Sequence, residues 1–306
     1  MNAIQSDTSD STYSDKPPVL IGASSDSAAG RAVRCIEAAG CRIGDTVPLE
    51  ATRERIDRQL AASAVWIELD RDGGVAMDEV LDCVARDVLD GRYAAVVSST
   101  AALIDPVAAR VGDGAIQLIV DADDGERAAA LAIATASAAI PHRLSDIASD
   151  QNAARLRQLS DEVSRIAATL ARLSAGPAAA APAPEPVHKG ETPEVSIETV
   201  RAVIRARRMR ARYFPEELFA DPAWDMLLDL LQAEITHLRV PVSSLCIAAA
   251  VPATTALRWL KSMVSQGVFL RRADPHDGRR VFVELAPEAS RALRRYFAEV
   301  GNPVVV

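Results

Sequence analysis

The chain of 306 residues is long enough for two domains, and its 49% hydrophobic and 25% charged residues exclude the fibrous and the disordered classes of protein. The net charge of −8 is unevenly distributed, because residues 1–195 carry 18 basic and 30 acidic side chains whereas residues 196–306 carry 16 and 12. A basic segment behind an acidic body is expected when only that end of a protein contacts phosphates.

The first segment, residues 1–16, is rich in Ser, Asp and Thr, which predicts a disordered tail. It lacks the basic and then apolar pattern of a signal peptide, and the chain has no run of eighteen apolar residues. We therefore expect a cytoplasmic protein that does not contact a membrane.

Residues 17–140 alternate short apolar runs with helical stretches, a pattern typical of a parallel sheet covered on both faces. We predict a doubly wound (βα)5 domain of the receiver or flavodoxin type. The predicted strands are Val19–Ala23, Arg42–Leu49, Ala64–Leu69, Ala94–Ser98 and Ala115–Val120, and the predicted helices are Ala28–Ala39, Thr52–Ala62, Met77–Leu89, Ala101–Val111 and Gly125–Ala138.

The layout of this domain resembles a response-regulator receiver, in which Asp70 would be the phosphoacceptor. The acidic pair that holds magnesium and the Lys after the fifth strand are missing, so we interpret Asp70 as a degenerate site. Gly22 and Gly30 flank a turn as in dinucleotide folds, but Asp26 stands where pyrophosphate should approach the backbone. A dimerising or protein-binding role is favoured here, with a small-molecule sensor as the alternative.

Residues 141–175 predict a coiled-coil dimerisation helix, because apolar residues recur at alternating spacings of three and four. A helix lying on its own domain is the alternative. The Pro-rich and Ala-rich residues 176–195 predict an extended linker. The seam consists of Leu156, Leu159, Val163, Ile166, Leu170 and Leu173.

Residues 196–306 predict a winged helix-turn-helix. An Arg-rich helix is followed by a helix that Asp221 caps, with Pro222 at its first position. Two further helices, VSSLCIAAA and TTALRWLKSMVSQ, are separated by only Val251 and Pro252, and Gly267 ends the second of them. Predicted strands at 268–273 and 281–285 enclose a basic hairpin turn.

This segment resembles the MarR-type winged-helix regulators of bacteria over about residues 219–297. The resemblance is carried by VSSLCIAAAVPATTALRWLKSMVSQGVFLRRADPHDGRRVFVELAPEA, and above all by its charged wing. It implies a homodimer that binds a roughly palindromic double-stranded DNA site, with recognition helices in successive major grooves. The chain departs from the family by carrying a separate domain and a heptad helix in front of the winged helix.

Helical spacing predicts that Ala256, Trp259, Leu260 and Met263 face the core. Arg258 is the candidate guanine contact and Lys261 a phosphate contact. Leu257 could pack on a thymine methyl group or belong to a wider core stripe, and both interpretations stay open. The predicted DNA-binding residues are Thr254, Thr255, Leu257, Arg258, Lys261, Ser262, Arg279 and Arg280.

Sequence-specific regulation of transcription is therefore the favoured function. The alternatives are a winged-helix scaffold for protein contacts and a nucleotide-binding α/β protein. The sequence shows no catalytic constellation, metal site or cofactor motif, so we do not expect an enzyme. The cysteines lack CxxC spacing and are predicted to be small buried residues, although a redox role stays open; they are Cys35, Cys41, Cys83 and Cys246.

Overall fold

The computed structural model describes residues 18–58, 62, 64–112, 116–138 and 193–300. The predicted tail, the predicted coiled-coil helix with its six heptad residues, and residues 176–192 of the predicted linker lie outside the described residues. The described residues on the two sides of the gap between 138 and 193 belong to one compact unit.

The N-terminal part, here called the α/β part (residues 18–138), contains a parallel five-stranded sheet in the order β2-β1-β3-β4-β5. Its strands are β1 (Val19–Ala23), β2 (Ile43–Pro48), β3 (Ala64–Leu69), β4 (Ala94–Ser99) and β5 (Gln117–Val120). Its helices are α1 (Asp26–Ala38), α2 (Leu49–Asp57), α3 (Gly74–Leu89), α4 (Ile104–Val111) and α5 (Asp124–Ala138), with a short 3-10 turn at Ala101–Leu103.

Helices cover both faces of this sheet, as two separate apolar clusters show. One cluster joins α2, α3 and α4 to side chains such as Val65 and Ile67, and the other joins α1 and α5 to side chains such as Ile21 and Trp66. The alternation of side chains along buried parallel strands explains why these strands are apolar on both faces. The predicted parallel sheet with intervening helices is confirmed, whereas its receiver-type assignment stays a prediction.

Four helices of the α/β part, α1, α2, α3 and α5, begin one to three residues earlier than predicted. Helix α1 begins at Asp26 because the Ser25 hydroxyl accepts a hydrogen bond from the N–H of Ala28 and so caps the helix. Helix α3 begins at Gly74, whose φ of 58° lies in the left-handed region that favours glycine.

The C-terminal part, here called the winged helix (residues 193–300), pairs three short antiparallel strands in the order β6-β8-β7. The strands are β6 (Val240–Pro241), β7 (Phe269–Ala273) and β8 (Val281–Leu285). The helices are α6 (Ile197–Met209), α7 (Pro222–Ile235), α8 (Val242–Ala248), α9 (Ala253–Ser265) and α10 (Pro287–Val300), with 3-10 turns at Arg210–Arg212 and Glu216–Phe219.

The predicted signals at helix ends are present in the winged helix. The Asp221 carboxylate accepts a hydrogen bond from the N–H of Trp224, and Pro222 takes the first position of α7. Gly267 follows α9 with a φ of 71°, the left-handed conformation that ends a helix. These local signals therefore position α9 and the hairpin after it as the sequence predicts.

The apolar core of the winged helix continues into the α/β part. Leu228, Leu245 and Phe269 are fully buried in a cluster that also contains Ile104 and Val120 of the α/β part. The sequence predicts two separate domains on either side of the linker, and offers no sign of this shared core.

Candidate nucleic-acid interface

Helices α8 and α9 form the predicted helix-turn-helix. They are joined by residues 249–252 and bent by 108° relative to each other, an angle typical of such units. Ala250 in the turn has a φ of 53°, which lets the chain reverse within four residues. None of the described helices is by itself long and apolar enough to span a membrane; α8 and α9 meet that length and composition only together, as this bent pair.

One face of α9 packs into the winged helix as predicted. Ala256, Leu260 and Met263 are buried in its core. The prediction that Trp259 also faces the core is wrong, since 41% of this residue is exposed. The next residue on the N-terminal side, Arg258, is exposed too, so an aromatic and a cationic side chain share the open side of α9.

A second face of α9 packs against the α/β part. The expectation that Thr254 and Leu257 face solvent or a DNA groove is wrong in this structure, because they are only 1% and 8% exposed. The Thr254 Oγ1 atom lies 2.9 Å from the backbone nitrogen of Val120 and 3.2 Å from its carbonyl oxygen. Leu257 belongs to the apolar cluster that includes Ile104 and Ala108, so the core alternative holds for it.

Three other predicted residues of α9, Thr255, Lys261 and Ser262, are half-buried. Lys261 lies at the edge of a groove between α9, α4 and β5. Arg258 and Arg271 line the same groove on the winged-helix side, opposite apolar residues of the α/β part. The contact between the two parts therefore ends in a cationic rim.

The wing consists of β7, residues 274–280 and β8. Its turn is closed by a hydrogen bond from the N–H of Asp274 to the carbonyl of Arg280, at 3.0 Å. The Asp277 carboxylate accepts a hydrogen bond from the N–H of Arg279 and forms an ion pair with Arg280. The Arg280 side chain remains 62% exposed, so it is available at the tip of the wing.

The other wing arginine, Arg279, is held by the α/β part, in contrast to the prediction that it lies open toward DNA. Its Nη1 and Nη2 atoms lie 2.9 and 2.7 Å from the two carboxylate oxygens of Asp72, and its Nε atom lies 3.3 Å from Asp78. The hydrogen bond from Arg279 is the main reason that the pKa of Asp72 is lowered. These residues are separated by more than 200 positions in sequence, and no local pattern predicts the pairing.

Two further polar contacts join the parts. Asp105 in the first turn of α4 accepts hydrogen bonds from the backbone N–H of Ser243, at 2.9 Å, and from its hydroxyl, at 2.6 Å. Arg271 of β7 donates to the carbonyl of Ala108 near the end of α4. We call the whole set of contacts between α4, β5, residues 72–78 and the winged helix the docking contact.

Some of the arginines in and directly after α6 contact other side chains of the winged helix. Arg207 donates to Asp225 of α7 at 2.6 Å, and Arg210 lies over the ring of Phe219 at 5.4 Å. Arg201 and Arg205 are exposed on the same helix. Some of these arginines therefore hold the winged helix together, and others face solvent.

A polar cluster occupies the carboxyl ends of the strands in the α/β part. Asp70 accepts hydrogen bonds from the hydroxyls of Ser24 and Ser25 and from Arg31. Burial raises the pKa of Asp70, but these three donors outweigh it, and the net shift is downward. The cluster thus satisfies Asp70 internally, and the assignment of Asp70 as a degenerate phosphoacceptor stays a prediction.

A buried ion pair that the sequence does not predict lies beneath that cluster. Arg127 binds Glu68 through two hydrogen bonds of 2.9 and 2.7 Å, and Glu68 also accepts from the indole N–H of Trp66. Glu68 is 2% exposed and Arg127 is 8% exposed. A Glu in an otherwise apolar strand was the available signal, because a buried carboxylate requires a partner.

No known protein-family profile matches the chain, and no curated protein matches it. Among solved structures, it is similar to BpsR of Bordetella bronchiseptica, described for the regulation of its DNA binding by 6-hydroxynicotinic acid, at 20% identity and a TM-score of 0.21 over 32% of this chain and 71% of that one. It is also similar to the transcriptional regulator Tm0710 of Thermotoga maritima, at 17% identity and a TM-score of 0.21 over 33% and 73%. These TM-scores are too low to establish a common fold. The winged helix is therefore assigned from its own helices and strands.

Proposed function

We propose that this chain is a transcriptional regulator that binds double-stranded DNA through α9 and the wing. The observation that carries the proposal is the helix pair bent by 108° and followed directly by an antiparallel two-stranded wing. In known complexes of helix-turn-helix proteins the second helix of such a pair lies in the major groove, and we propose the same position for α9, with the wing beside it. Arg258 on α9 and Arg280 on the wing are exposed cations on the two elements that would meet DNA.

The distribution of charge supports the same function. The segment from residue 196 onward is net basic although the whole chain carries −8. Lys and Arg side chains that neutralise phosphates release counterions, which supplies most of the affinity of a DNA-binding surface. In this proposal the α/β part supplies a response to a partner or signal, and the protein acts in the cytoplasm without catalysing a reaction.

A protein-binding scaffold is the second candidate, and exposed apolar side chains favour it. Tyr213 is 75% exposed, Leu218 is 66% exposed and Ile247 is 80% exposed. Large apolar side chains left open on a surface are typical of sites that contact another protein. A scaffold of this kind has no requirement for DNA and shows no steep dependence of DNA affinity on salt.

Salt dependence on DNA separates the two candidates. We expect the full chain to bind a random-sequence 40-base-pair duplex, measured by fluorescence anisotropy, with an affinity that falls about 10³- to 10⁵-fold between 50 and 200 mM salt if six to ten phosphates are contacted. Arg280→Ala should weaken this binding, whereas Arg34→Ala, which removes an exposed cation from α1, should leave it unchanged. Failure of the full chain to bind any duplex at low salt would contradict the proposal.

We further propose that two copies act together through residues 141–175. A dimer contacts two half-sites with one binding event, which raises the effective concentration of the second reader. The variant Leu159→Asp/Ile166→Asp should sediment as a monomer and bind DNA more weakly. Ser164→Asp/Ala168→Asp adds the same charge at positions off the heptad seam and should remain a dimer. Dimers for both variants would contradict this assignment.

A further inference from the structure

We infer that the α/β part and DNA compete for one surface of the winged helix, so that the docked arrangement is a closed state of the protein that does not engage a DNA groove. The inference rests on the proposed DNA-binding function and adds a built-in means of regulating it. It identifies the docking contact as an autoinhibitory contact.

The covered surface is the part of a winged helix that enters DNA. Thr254 and Leu257 occupy the first turns of α9, and the first turns of a recognition helix carry the contacts to base edges. In this structure the two residues are 1% and 8% exposed because β5 and α4 lie on them. A duplex cannot approach that face of α9 while Thr254 is bonded to Val120.

The wing is held by groups that resemble phosphate in charge and geometry. Arg279 donates two parallel hydrogen bonds to Asp72, the bidentate geometry in which guanidinium groups also bind phosphate. Asp78 adds a second carboxylate on the same guanidinium. The acidic α/β part therefore offers Arg279 the same interaction that a DNA backbone would offer.

The docking contact has the composition of a reversible interface. On the α/β side its apolar side chains are the buried Ile104, Ala108 and Val120 and the partly buried Ala109 and Leu118. Beside them the contact contains hydrogen bonds and an ion pair, which water or phosphate can replace, and polar interfaces between domains of one chain typically permit relative motion. In this ion pair the Arg279 side chain is 31% exposed and the Asp72 side chain is 50% exposed.

The closed state leaves a route to the open one. Arg258 lies at the rim of the docking contact and Arg280 at the tip of the wing, and both remain exposed, so they can make the first contacts with a duplex. DNA bound there brings phosphates close to Arg279, where they compete with Asp72. In such an equilibrium the apparent DNA affinity equals the affinity of the open state multiplied by the fraction of molecules that are open.

The test weakens the docking contact without removing the winged helix. In Asp72→Asn/Asp105→Asn, both side chains keep one oxygen that can accept the backbone hydrogen bonds of Gly74 and Ser243, but both lose their charge. The matched control is Asp45→Asn/Asp90→Asn, which changes the net charge equally; Asp45 pairs with Arg55 on the opposite edge of the sheet, and Asp90 is exposed after α3.

Two readouts on the full chain are needed. The first is anisotropy with the random-sequence 40-base-pair duplex, for which we expect the docking variant to bind about 5- to 150-fold more tightly than the control. The second is hydrogen exchange of the backbone amides of Val120 and Ser243, which donate into the docking contact. We expect both amides to exchange faster in the docking variant, and faster in the unaltered chain once DNA is added.

Each result is decisive. Faster exchange in the docking variant with DNA affinity equal to the control would overturn the inference and leave the proposed function intact. Unchanged protection of Val120 in the unaltered chain saturated with DNA would also overturn it, and this measurement needs no variant. If neither the docking variant nor the unaltered chain binds DNA at low salt, the proposed function itself fails.

Discussion

The hydroxyl of Thr254 bonds to both backbone polar groups of Val120, accepting from its N–H at 2.9 Å and donating to its carbonyl at 3.2 Å. Among the described strands, β5 pairs only with β4 and therefore forms an edge of the sheet. The hydroxyl therefore takes the place of a neighbouring strand's backbone, and a sheet edge that would otherwise lie open is covered by the winged helix.

Thr254→Val tests the energetic role of that hydroxyl. Valine keeps the shape of the side chain but leaves two buried backbone groups of Val120 without partners. We expect the free energy of unfolding, measured by urea denaturation, to fall by about 1–3 kcal/mol. Thr255→Val is the matched control on the same turn and should change it by less than about 0.5 kcal/mol. Equal losses in the two variants would contradict the role assigned to Thr254.

Arg258→Ala tests base recognition by α9. Duplexes selected from a randomised library supply the preferred sequence, and anisotropy compares it with a scrambled duplex. We expect this variant to lose about 1–3 kcal/mol on the selected duplex and little on the scrambled one. Lys261→Ala should weaken both duplexes similarly, because a phosphate contact does not distinguish sequences. An unchanged preference in the Arg258 variant would remove Arg258 as a base contact.

Arg127→Leu tests the buried pair with Glu68. Removal of Arg127 leaves the Glu68 carboxylate buried in β3 with Arg31, whose Nε atom lies 3.3 Å away, as a remaining cation. We therefore expect a loss of about 3 kcal/mol in unfolding free energy, the lower end of the cost of breaking a buried pair. Arg53 and Glu79 provide the comparison, since both side chains of that pair are 55% exposed and lie 3.7 Å apart. Arg53→Leu should cost at most about 1 kcal/mol in the same denaturation experiment. Similar losses of unfolding free energy in the two variants would contradict a stabilising role of the Arg127–Glu68 pair.

The lowered pKa of Asp72 predicts how acid affects the wing. The cause is first the hydrogen bond from Arg279 and then the N–H of Gly74. A carboxylate with a depressed folded-state pKa contributes stability that is complete above its ordinary value of 3.8 and is lost as pH falls through the lowered value. The difference in unfolding free energy between the unaltered chain and Asp72→Asn should therefore be constant from about pH 7 to about pH 5.

Below about pH 4 that difference should shrink. Asp78 and Asp277 also face Arg279, and the comparison with Asp72→Asn isolates the one carboxylate because both chains retain the other two. A difference that grows as the pH falls would contradict the ion pair.

Cys246 should be inert in the folded protein. Burial, with a smaller effect of Asp105, raises its pKa to about 12, so that only about 1 in 10⁴ molecules carries the thiolate at pH 8. Cys83 is also buried, whereas Cys35 and Cys41 are half-buried, so the prediction of burial holds fully for two of the four cysteines. A disulfide reagent at pH 8 should modify Cys246 only after denaturation, and a fast reaction in the folded chain would contradict this.

The local elements were predictable because each leaves its own period or end signal in the sequence. Strand β8 was predicted with its observed bounds, and the caps at Asp221 and Gly267 were predicted with the physical reasons that the structure shows. Trp259 was placed wrongly because helical spacing identifies one apolar stripe but not its width, and a Trp at the edge of that stripe remains 41% exposed.

The sequence by itself determined most of the strands and helices, although not β6, and it determined to within one position which residues lie on α9. The tertiary structure alone decided that Thr254, Leu257 and Arg279 face the α/β part and not solvent. The periodicity of apolar residues indicates which face of a helix or strand is buried, but not which other part of the chain covers that face. Whether a threonine hydroxyl or an arginine meets water, DNA or a carboxylate depends on residues 134 to 207 positions away, which only the folded chain brings together.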